Sequence, residues 1–288
     1  MHLGFIANIS FKHIKHQIAK AGLREKLIEV EDFKFHFYDN QNEKPVLILL
    51  NGFGISTEFQ WYPVLSKLSN HYRLIMVNLV FFGESRTKAP LASIQIQVEF
   101  LERLIAHLKI ENFKLAGISY GGLVAAEFTQ KNERQVEELF LIDSPVKYLN
   151  LNHIQKLCDS YGVNEIHEFF APSTVDGLKK QFDAAYFKRQ IIPMFILKEF
   201  HKAFCEPYLA GWKAIIKDLL DNYDSLRNKN YTFTTQTKLI WGQHDKVIPV
   251  SVGERLKGHL PKTELFIIQN TGHLPTIEQP KELAELFI

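Results

Sequence analysis

The segment KLAGISYGG, residues 114–122, carries the strongest fold signal in the chain. A short apolar strand runs directly into the pentapeptide GISYG, residues 117–121, and a helical pattern follows to about Lys131. Such an abrupt strand-to-helix turn strains the backbone and exposes the central side chain above the sheet. The positions two before and two after must be small, because a side chain there would clash with neighbouring elements. The stretch therefore predicts a nucleophile elbow carrying Ser119.

A catalytic triad is predicted around this serine, because its hydroxyl needs a base and the base needs an anionic partner. Downstream, Asp245 closes WGQHD and His273 closes TGH, each just past a predicted strand. The carboxyl ends of parallel strands converge at one edge of a sheet, so Ser119, Asp245 and His273 can meet there. Asp143, which also follows a strand end, is the alternative acid, and His244 is the alternative base.

An oxyanion hole needs two backbone N–H groups aimed at the charge of the tetrahedral intermediate. One is expected from Tyr120, the residue after the nucleophile, and the other from the loop NGFG, with Phe53 as the donor. Gly52 and Gly54 would let the backbone approach the substrate, so both are predicted to bind it.

Along most of the chain, short apolar runs alternate with amphipathic helical patterns, which is typical of a mostly parallel sheet flanked by helices. Eight strands are predicted: two within 27–38, then 46–50, 74–79, 114–118, 139–142, 238–241 and 264–268. Helices are predicted at 59–68, 94–108, 122–131 and 250–257, and from residue 280. Residues 147–232 lack a buried-strand signal and indicate several helices. The prediction is an α/β core, 1–146 and 233–288, with a helical insertion after the sixth strand.

Several segments resemble the α/β-hydrolase family, and within it the monoacylglycerol-lipase-like and bacterial carboxylesterase branch. These are AGLREKLIEVEDFKFHFYD (opening hairpin), LILLNGFGISTEFQW (oxyanion loop), LAGISYGG (elbow), and LIWGQHDKVIP with NTGHLPTIEQP (acid and histidine loops). The insertion resembles the helical lid of the monoacylglycerol-lipase branch. The resemblance covers nearly the whole chain and implies an α/β-hydrolase fold with serine esterase or lipase activity.

Two segments depart from the family pattern. Asn51 stands where the oxyanion loop usually begins with histidine, and an asparagine can still hydrogen-bond to stabilise the loop. In NLVFFGES, residues 78–85, Val80 and Phe81 replace the usual Pro-Gly turn. Neither change touches the predicted triad.

The insertion is rich in aromatic residues: Phe169, Phe170, Phe182, Tyr186, Phe187, Phe195, Phe200 and Phe204. Most are expected to form the core of the insertion and a minority to line an apolar acyl pocket. Phe170 and Phe195 are the predicted substrate-binding rings. The nearby cations are typical of a solvated face, with a docking patch for an acyl carrier protein as the alternative: Lys179, Lys180, Lys188 and Arg189.

The composition of the chain argues against several other classes of protein. The 288 residues carry a formal net charge of +2, so the total implies no basic face for nucleic acid. No run approaches the ~18 apolar residues of a transmembrane helix. The N-terminal segment lacks the features of a signal peptide, and the two cysteines favour reduced thiols over a single bridge, so a cytoplasmic protein is expected.

Near the N-terminus, Phe11, Ile14 and Ile18 have helical spacing with lysines between them. A helix docked on the domain is the first interpretation, and a peripheral membrane contact is the second. His13 and His16 lie three apart without further metal ligands nearby, and no dinucleotide or P-loop fingerprint is present, so neither a metal nor a cofactor is expected.

The predicted reaction is acyl transfer from a small-molecule ester to water. With the same triad, a carbon–carbon bond hydrolase or an acyl-carrier-protein methyl ester esterase is an alternative. Dehalogenases and epoxide hydrolases of this fold need aspartate at the position of Ser119. A ligand-binding receptor or inactive relative is the alternative that is not an enzyme.

Overall fold

The computed structural model describes the backbone of residues 5–89 and 92–288, with their side chains from residue 11 onward. Within these ranges the chain forms nine strands: β1 (Arg24–Val30), β2 (Phe33–Asp39), β3 (Val46–Leu50), β4 (Arg73–Asn78), β5 (Arg86–Thr87), β6 (Phe113–Ile118), β7 (Val136–Ile142), β8 (Gln236–Gly242) and β9 (Thr263–Ile268).

Fourteen α-helices occur in the same ranges. In the first half of the chain they are α1 (Phe5–Lys20), α2 (Thr57–Trp61), α3 (Leu65–Leu68), α4 (Ile94–His107) and α5 (Tyr120–Asn132). Between β7 and β8 lie α6 (Leu151–Ser160), α7 (Ile166–Phe170), α8 (Val175–Ala185), α9 (Met194–Phe204), α10 (Leu209–Asp221) and α11 (Tyr223–Asn228). The last three are α12 (Val250–Lys257), α13 (Pro275–Glu278) and α14 (Pro280–Glu285).

The strands form one sheet in the order β1-β2-β4-β3-β6-β7-β8-β9. Pairing is antiparallel from β1 to β4 and parallel from β4 to β9. The predicted mostly parallel sheet with flanking helices is therefore confirmed. Because β3, β6, β7, β8 and β9 are parallel neighbours, the loops that follow them emerge side by side at one edge.

Helices cover both faces of the sheet, so its central strands are continuous apolar runs rather than alternating ones. In β3, Ile48 and Leu50 join one apolar core, while Leu47 and Leu49 join the core on the opposite face. The first core extends into the helical insertion (residues 147–232), whose Phe169 and Trp212 are buried in it.

Two local predictions were incomplete. The two-residue strand β5, which pairs with β2, was not predicted, so the insertion follows the seventh strand in chain order. The predicted single helix over 59–68 is divided into α2, a 3₁₀ turn at Tyr62–Val64 and α3. Pro63 lies inside that turn and has no N–H to donate to a continuous helix.

The N-terminal helix α1 is docked on the domain. Ile14 and Ile18 are buried in the second core, and the ring of Phe11 stacks on Phe59 at 5.6 Å. The apolar residues on which the membrane interpretation depended therefore face protein. Among the described residues, no helix is both long and apolar enough to cross a membrane. Cys158 and Cys205 are buried free thiols.

Candidate active site

The turn after β6 has the strained geometry expected of an elbow. Ser119 has φ 51° and ψ −119°, outside the regions that ordinary residues favour, and its N–H donates to the Ile142 carbonyl at 2.8 Å. A Cβ on Gly117 would collide with the Gly121 carbonyl, and a Cβ on Gly121 would collide with the Asn51 carbonyl. The two glycines are therefore required by the close approach of backbone around the serine.

An acid and a histidine are hydrogen-bonded beside this turn. His273 Nδ1 lies 2.7 Å from Asp245 Oδ2. The other carboxylate oxygen of Asp245 accepts the N–H groups of Val247 at 2.8 Å and Ile248 at 2.9 Å. An ionised carboxylate only accepts, so Nδ1 carries the proton in this bond, and in the neutral form of the ring Nε2 is the nitrogen that can accept one. Ser119 and His273 line one cavity.

The two alternative residues occupy different surroundings. His244 is exposed and stacks on Phe187, with ring centroids 4.4 Å apart. Asp143 is fully buried, and its Oδ1 accepts the Gly242 N–H at 2.9 Å. One carboxylate oxygen of Asp143, one of Asp245 and one ring nitrogen of His273 lie within 4.8 Å of one another. Burial and the neighbouring charge of Asp245 raise the pKa of Asp143 well above its usual value.

The predicted oxyanion donors are Phe53, in the loop after β3, and Tyr120, the first residue of α5 and the next after Ser119. Over residues 5–89 and 92–288, the Phe53 and Tyr120 amides donate no hydrogen bond to another protein group, which leaves both available. Asn51 holds the Phe53 loop: its Oδ1 accepts the Leu79 N–H at 2.9 Å, and its Nδ2 donates to the Gly52 carbonyl at 2.9 Å. This asparagine thus supplies the hydrogen bonds expected of the residue that begins the loop.

The loop 78–85 is held without the usual Pro-Gly turn. Phe81 adopts a positive φ of 71°, its N–H donates to the Ser85 carbonyl at 3.1 Å, and its carbonyl accepts Trp212 Nε1 at 3.1 Å. The Val80 N–H donates to Gln97 Oε1 at 2.9 Å. Contacts from α4 and α10 therefore fix a turn that the local sequence does not specify.

Two cavities meet at Ser119. The larger, about 110 Å³, runs under the insertion and is mainly apolar, with Phe53, Leu123, Ile154, Phe170, Ile216 and Leu219 among its lining residues. The smaller, about 60 Å³, is lined by Gly54, Phe170, Gln181, Phe182, Val247 and His273, among others. The Phe53 ring contacts Tyr120 and Phe170 at 5.7 and 6.2 Å and lines both cavities.

Of the four predicted substrate-binding residues, two line the cavities at Ser119 and two do not. Phe170 lines both cavities and Gly54 the smaller one. Phe195 lines neither of these two cavities, and its side chain is 53% exposed. Gly52 also lines neither cavity. A Cβ there would lie 3.2 Å from the Ile118 carbonyl, so this glycine serves backbone packing beneath Ser119.

Glu278, which the sequence reasoning missed, joins the histidine loop to the insertion. Its Oε1 accepts the Gly272 N–H at 2.8 Å, and its Oε2 accepts the Phe187 N–H at 2.9 Å. The His273 N–H donates to the Ala185 carbonyl at 2.7 Å across the same junction. Burial raises the pKa of Glu278. The only signal in the sequence was a glutamate five residues beyond His273, within NTGHLPTIEQP.

The cations proposed for a carrier protein are largely paired within the insertion. Lys180 bridges Asp176 at 3.0 Å, while Lys179 and Arg189 both bridge Asp183. This pairing favours the solvated-face interpretation over a docking patch.

Comparison with known proteins places this geometry in a family. The family model described as alpha/beta hydrolase fold matches residues 45–190. Monoacylglycerol lipase ABHD6 of Homo sapiens is 24% identical over 277 residues, which cover 93% of this chain and 82% of the relative.

Two of the solved structures that resemble this chain illustrate the shared fold. A putative lipase, lip1 from Acinetobacter baumannii AYE, has a TM-score of 0.84 at 23% identity and covers 100% of this chain and 95% of its own. The 2-hydroxy-6-oxo-6-phenylhexa-2,4-dienoate hydrolase from Rhodococcus sp. strain RHA1 has a TM-score of 0.79 at 18% identity, covering 92% and 97%. With its family match, its elbow and its parallel sheet, the chain belongs to the α/β-hydrolase fold family.

Proposed function

We propose that this protein is a serine carboxylesterase or lipase-like hydrolase that cleaves carboxylic esters through an acyl-enzyme on Ser119. The observation that carries the proposal is the 2.7 Å hydrogen bond between His273 Nδ1 and Asp245 Oδ2 at a cavity that Ser119 also lines. This bond fixes the tautomer in which Nε2 can accept the serine proton.

In the proposed mechanism, His273 Nε2 takes the proton of Ser119 as the hydroxyl attacks the ester carbonyl. Asp245 stabilises the imidazolium, and the Phe53 and Tyr120 N–H groups stabilise the oxyanion. His273 then returns the proton to the leaving alcohol. Water, activated by the same histidine, hydrolyses the acyl-enzyme and regenerates Ser119.

The two cavities support an assignment of the two halves of the substrate. His273 must reach the leaving oxygen, and among the two cavities it lines only the smaller one, which therefore takes the alcohol. The larger apolar cavity takes the acyl chain. Burying one methylene contributes about 0.8 kcal/mol, so kcat/KM should rise about fourfold per carbon until the cavity is full.

Short- to medium-chain esters and monoacylglycerol-like esters are the substrates proposed. The name of the human relative, monoacylglycerol lipase, supports the second class. The helical insertion, residues 147–232, is proposed as the lid over this site, because its helices supply most of the larger cavity's wall. Residues 1–146 and 233–288 then form the α/β-hydrolase core.

The experiment is hydrolysis of p-nitrophenyl esters with acyl chains of two to sixteen carbons, measured for the native protein and for Ser119→Ala. We expect serine-dependent turnover that peaks at short or medium chains, with kcat reduced on the order of 10⁶-fold in the variant. Full activity in Ser119→Ala would contradict the proposal.

Turnover of a vinylogous diketone in place of every ester would instead assign the same triad to carbon–carbon bond hydrolysis. Activity that depends on a carrier protein would favour the acyl-carrier-protein ester. Absence of turnover on all three classes would favour a receptor on this fold.

A further inference from the structure

Asp143 follows a strand that lies between the strands leading to Ser119 and Asp245, and it has no role in the mechanism above. It follows β7, which separates β6, the strand before Ser119, from β8, the strand before Asp245. Its side chain is fully buried, and its backbone has a positive φ of 46°. The Asp143 N–H donates to the Ile240 carbonyl at 3.0 Å, which holds the residue against β8.

The hydrogen bonds of the two aspartates are unequal. Asp245 accepts three N–H groups: those of Val247 and Ile248 on Oδ1, and His273 Nδ1 on Oδ2. Asp143 accepts one, from Gly242, on Oδ1, and within residues 5–89 and 92–288 its buried Oδ2 has no hydrogen-bond partner. Asp245 is therefore the carboxylate whose two oxygens are both supplied with donors, and Asp143 is the one left with an oxygen to satisfy.

Two buried carboxylates this close cannot both be ionised without a large electrostatic cost. An Oδ2 that carries a proton becomes a donor, and Asp245 is the neighbouring carboxylate that can accept it, with an oxygen within 4.8 Å of one of Asp143. The same proton would give Asp143 Oδ2 a hydrogen-bond partner. Burying a polar atom without such a partner is costly.

We propose that Asp143 is a positioning residue: a neutral carboxylic acid whose Oδ2–H donates a hydrogen bond to the carboxylate of Asp245. The inference rests on the proposed function only in what it says of catalysis. The bond fixes the orientation of Asp245, and through it the imidazole of His273, while adding no second negative charge to the site.

The charges around Asp143 agree with this protonation. Burial is the largest cause of its raised pKa, followed by the charge of Asp245, and the Gly242 N–H acts in the opposite direction. The facing titratable groups are Asp245 after β8, His273 after β9 and Glu278 on α13. The carboxylate of Glu278 raises the pKa of Asp143 further.

The test compares Asp143→Asn with Asp143→Leu. The asparagine can still accept the Gly242 N–H on Oδ1 and donate to Asp245 through Nδ2, and it is neutral at every pH. We expect kcat within about threefold of the native value and an unmoved acid limb of the pH profile of kcat/KM. The leucine has no donor, and we expect kcat to fall about tenfold to a hundredfold with KM nearly unchanged.

A second measurement does not depend on turnover. Infrared difference spectra between the native protein and Asp143→Asn at neutral pH should contain the carbonyl stretch of a protonated carboxylic acid, lost in the variant. An acid limb displaced by about one pH unit toward lower pH in Asp143→Asn would mean that Asp143 is ionised and would overturn the proposal. So would full kcat in a folded Asp143→Leu, or absence of the infrared band.

These readouts separate the two proposals. If the native protein lacks serine-dependent turnover, the proposed function fails while the infrared band still decides the protonation state. If Asp143→Leu does not fold, as judged by circular dichroism, the pH profile of Asp143→Asn and the band remain decisive.

Discussion

The loops at the carboxyl edge of the sheet and the helical insertion above them are held by different contacts. In the loops, backbone N–H groups bind side-chain oxygens at fixed positions, as Val247 and Ile248 do on Asp245. In the insertion, buried rings and aliphatic chains such as Phe169, Trp212 and Ile215 pack into the core that continues from the sheet.

This difference separates the two tasks proposed for the site. Hydrogen bonds are directional, so the loops can hold a proton donor and its acceptor in one geometry. Apolar packing is not directional and tolerates changes of shape, so the insertion can set the size of a cavity without moving the catalytic groups. Changes in the loops should therefore affect kcat, and changes in the insertion should affect the choice of substrate.

After Ser119→Ala, the largest effect is expected from Asp245→Asn. Asparagine can donate to His273 Nδ1 and so favour the tautomer whose Nε2 carries the proton, and kcat should fall on the order of 10⁴-fold. Steady-state hydrolysis of a p-nitrophenyl ester measures it. His244→Asn, one residue away and exposed, is the matched control and should retain native kcat. A deep loss in the control with a mild loss in Asp245→Asn would reverse the assignment of these loop residues.

A smaller and selective effect is expected from Ile216→Trp in α10. The indole would fill part of the larger cavity, so kcat/KM for the longest ester that the native protein accepts should fall about fiftyfold, equivalent to about three unburied methylenes. Hydrolysis of the acetyl ester should change by less than about threefold.

The control for that change is Ile191→Trp, the same substitution at a side chain that is 97% exposed, with thermal unfolding followed for both variants. An equal loss of kcat/KM for short and long esters in a stable Ile216→Trp would show that the insertion does not set chain length separately from chemistry.

The smallest effect is expected where the two regions share hydrogen bonds. Glu278→Gln keeps one acceptor oxygen and loses the other, so the Gly272 or Phe187 N–H is left without its partner. Loss of one such bond costs about 1–3 kcal/mol, and we expect a lower unfolding temperature with kcat reduced about tenfold. Thermal unfolding and steady-state kinetics measure the two. A variant with native stability and kcat would mean that this junction does not position the histidine loop.

The fold was predictable because its signals are local. The apolar run of β3 and Gly117, which lies against the Gly121 carbonyl, each reflect a constraint within a few residues. The division of the 59–68 helix at Pro63 was also readable from the sequence, since proline interrupts hydrogen bonding in a helix.

The substrate-binding residues were less predictable. Phe170 and Phe195 carry the same side chain in the same insertion, yet one lines both cavities and the other is 53% exposed. Which face of each helix turns toward Ser119 depends on how six helices pack together. No local pattern distinguishes a ring in the core of the insertion from a ring at the cavity wall.

The α/β-hydrolase fold and the chemically competent residue types could be inferred from the amino acids, because strained turns and buried strands restrict which residues can occupy them. The hydrogen bond of Asp245 to His273, the burial of Asp143 beside it and the position of Glu278 between two regions depend on tertiary contacts. Both aspartates follow a strand and look alike in sequence. Their hydrogen-bond partners come from other strands and loops, so the distinction exists only once the sheet has formed.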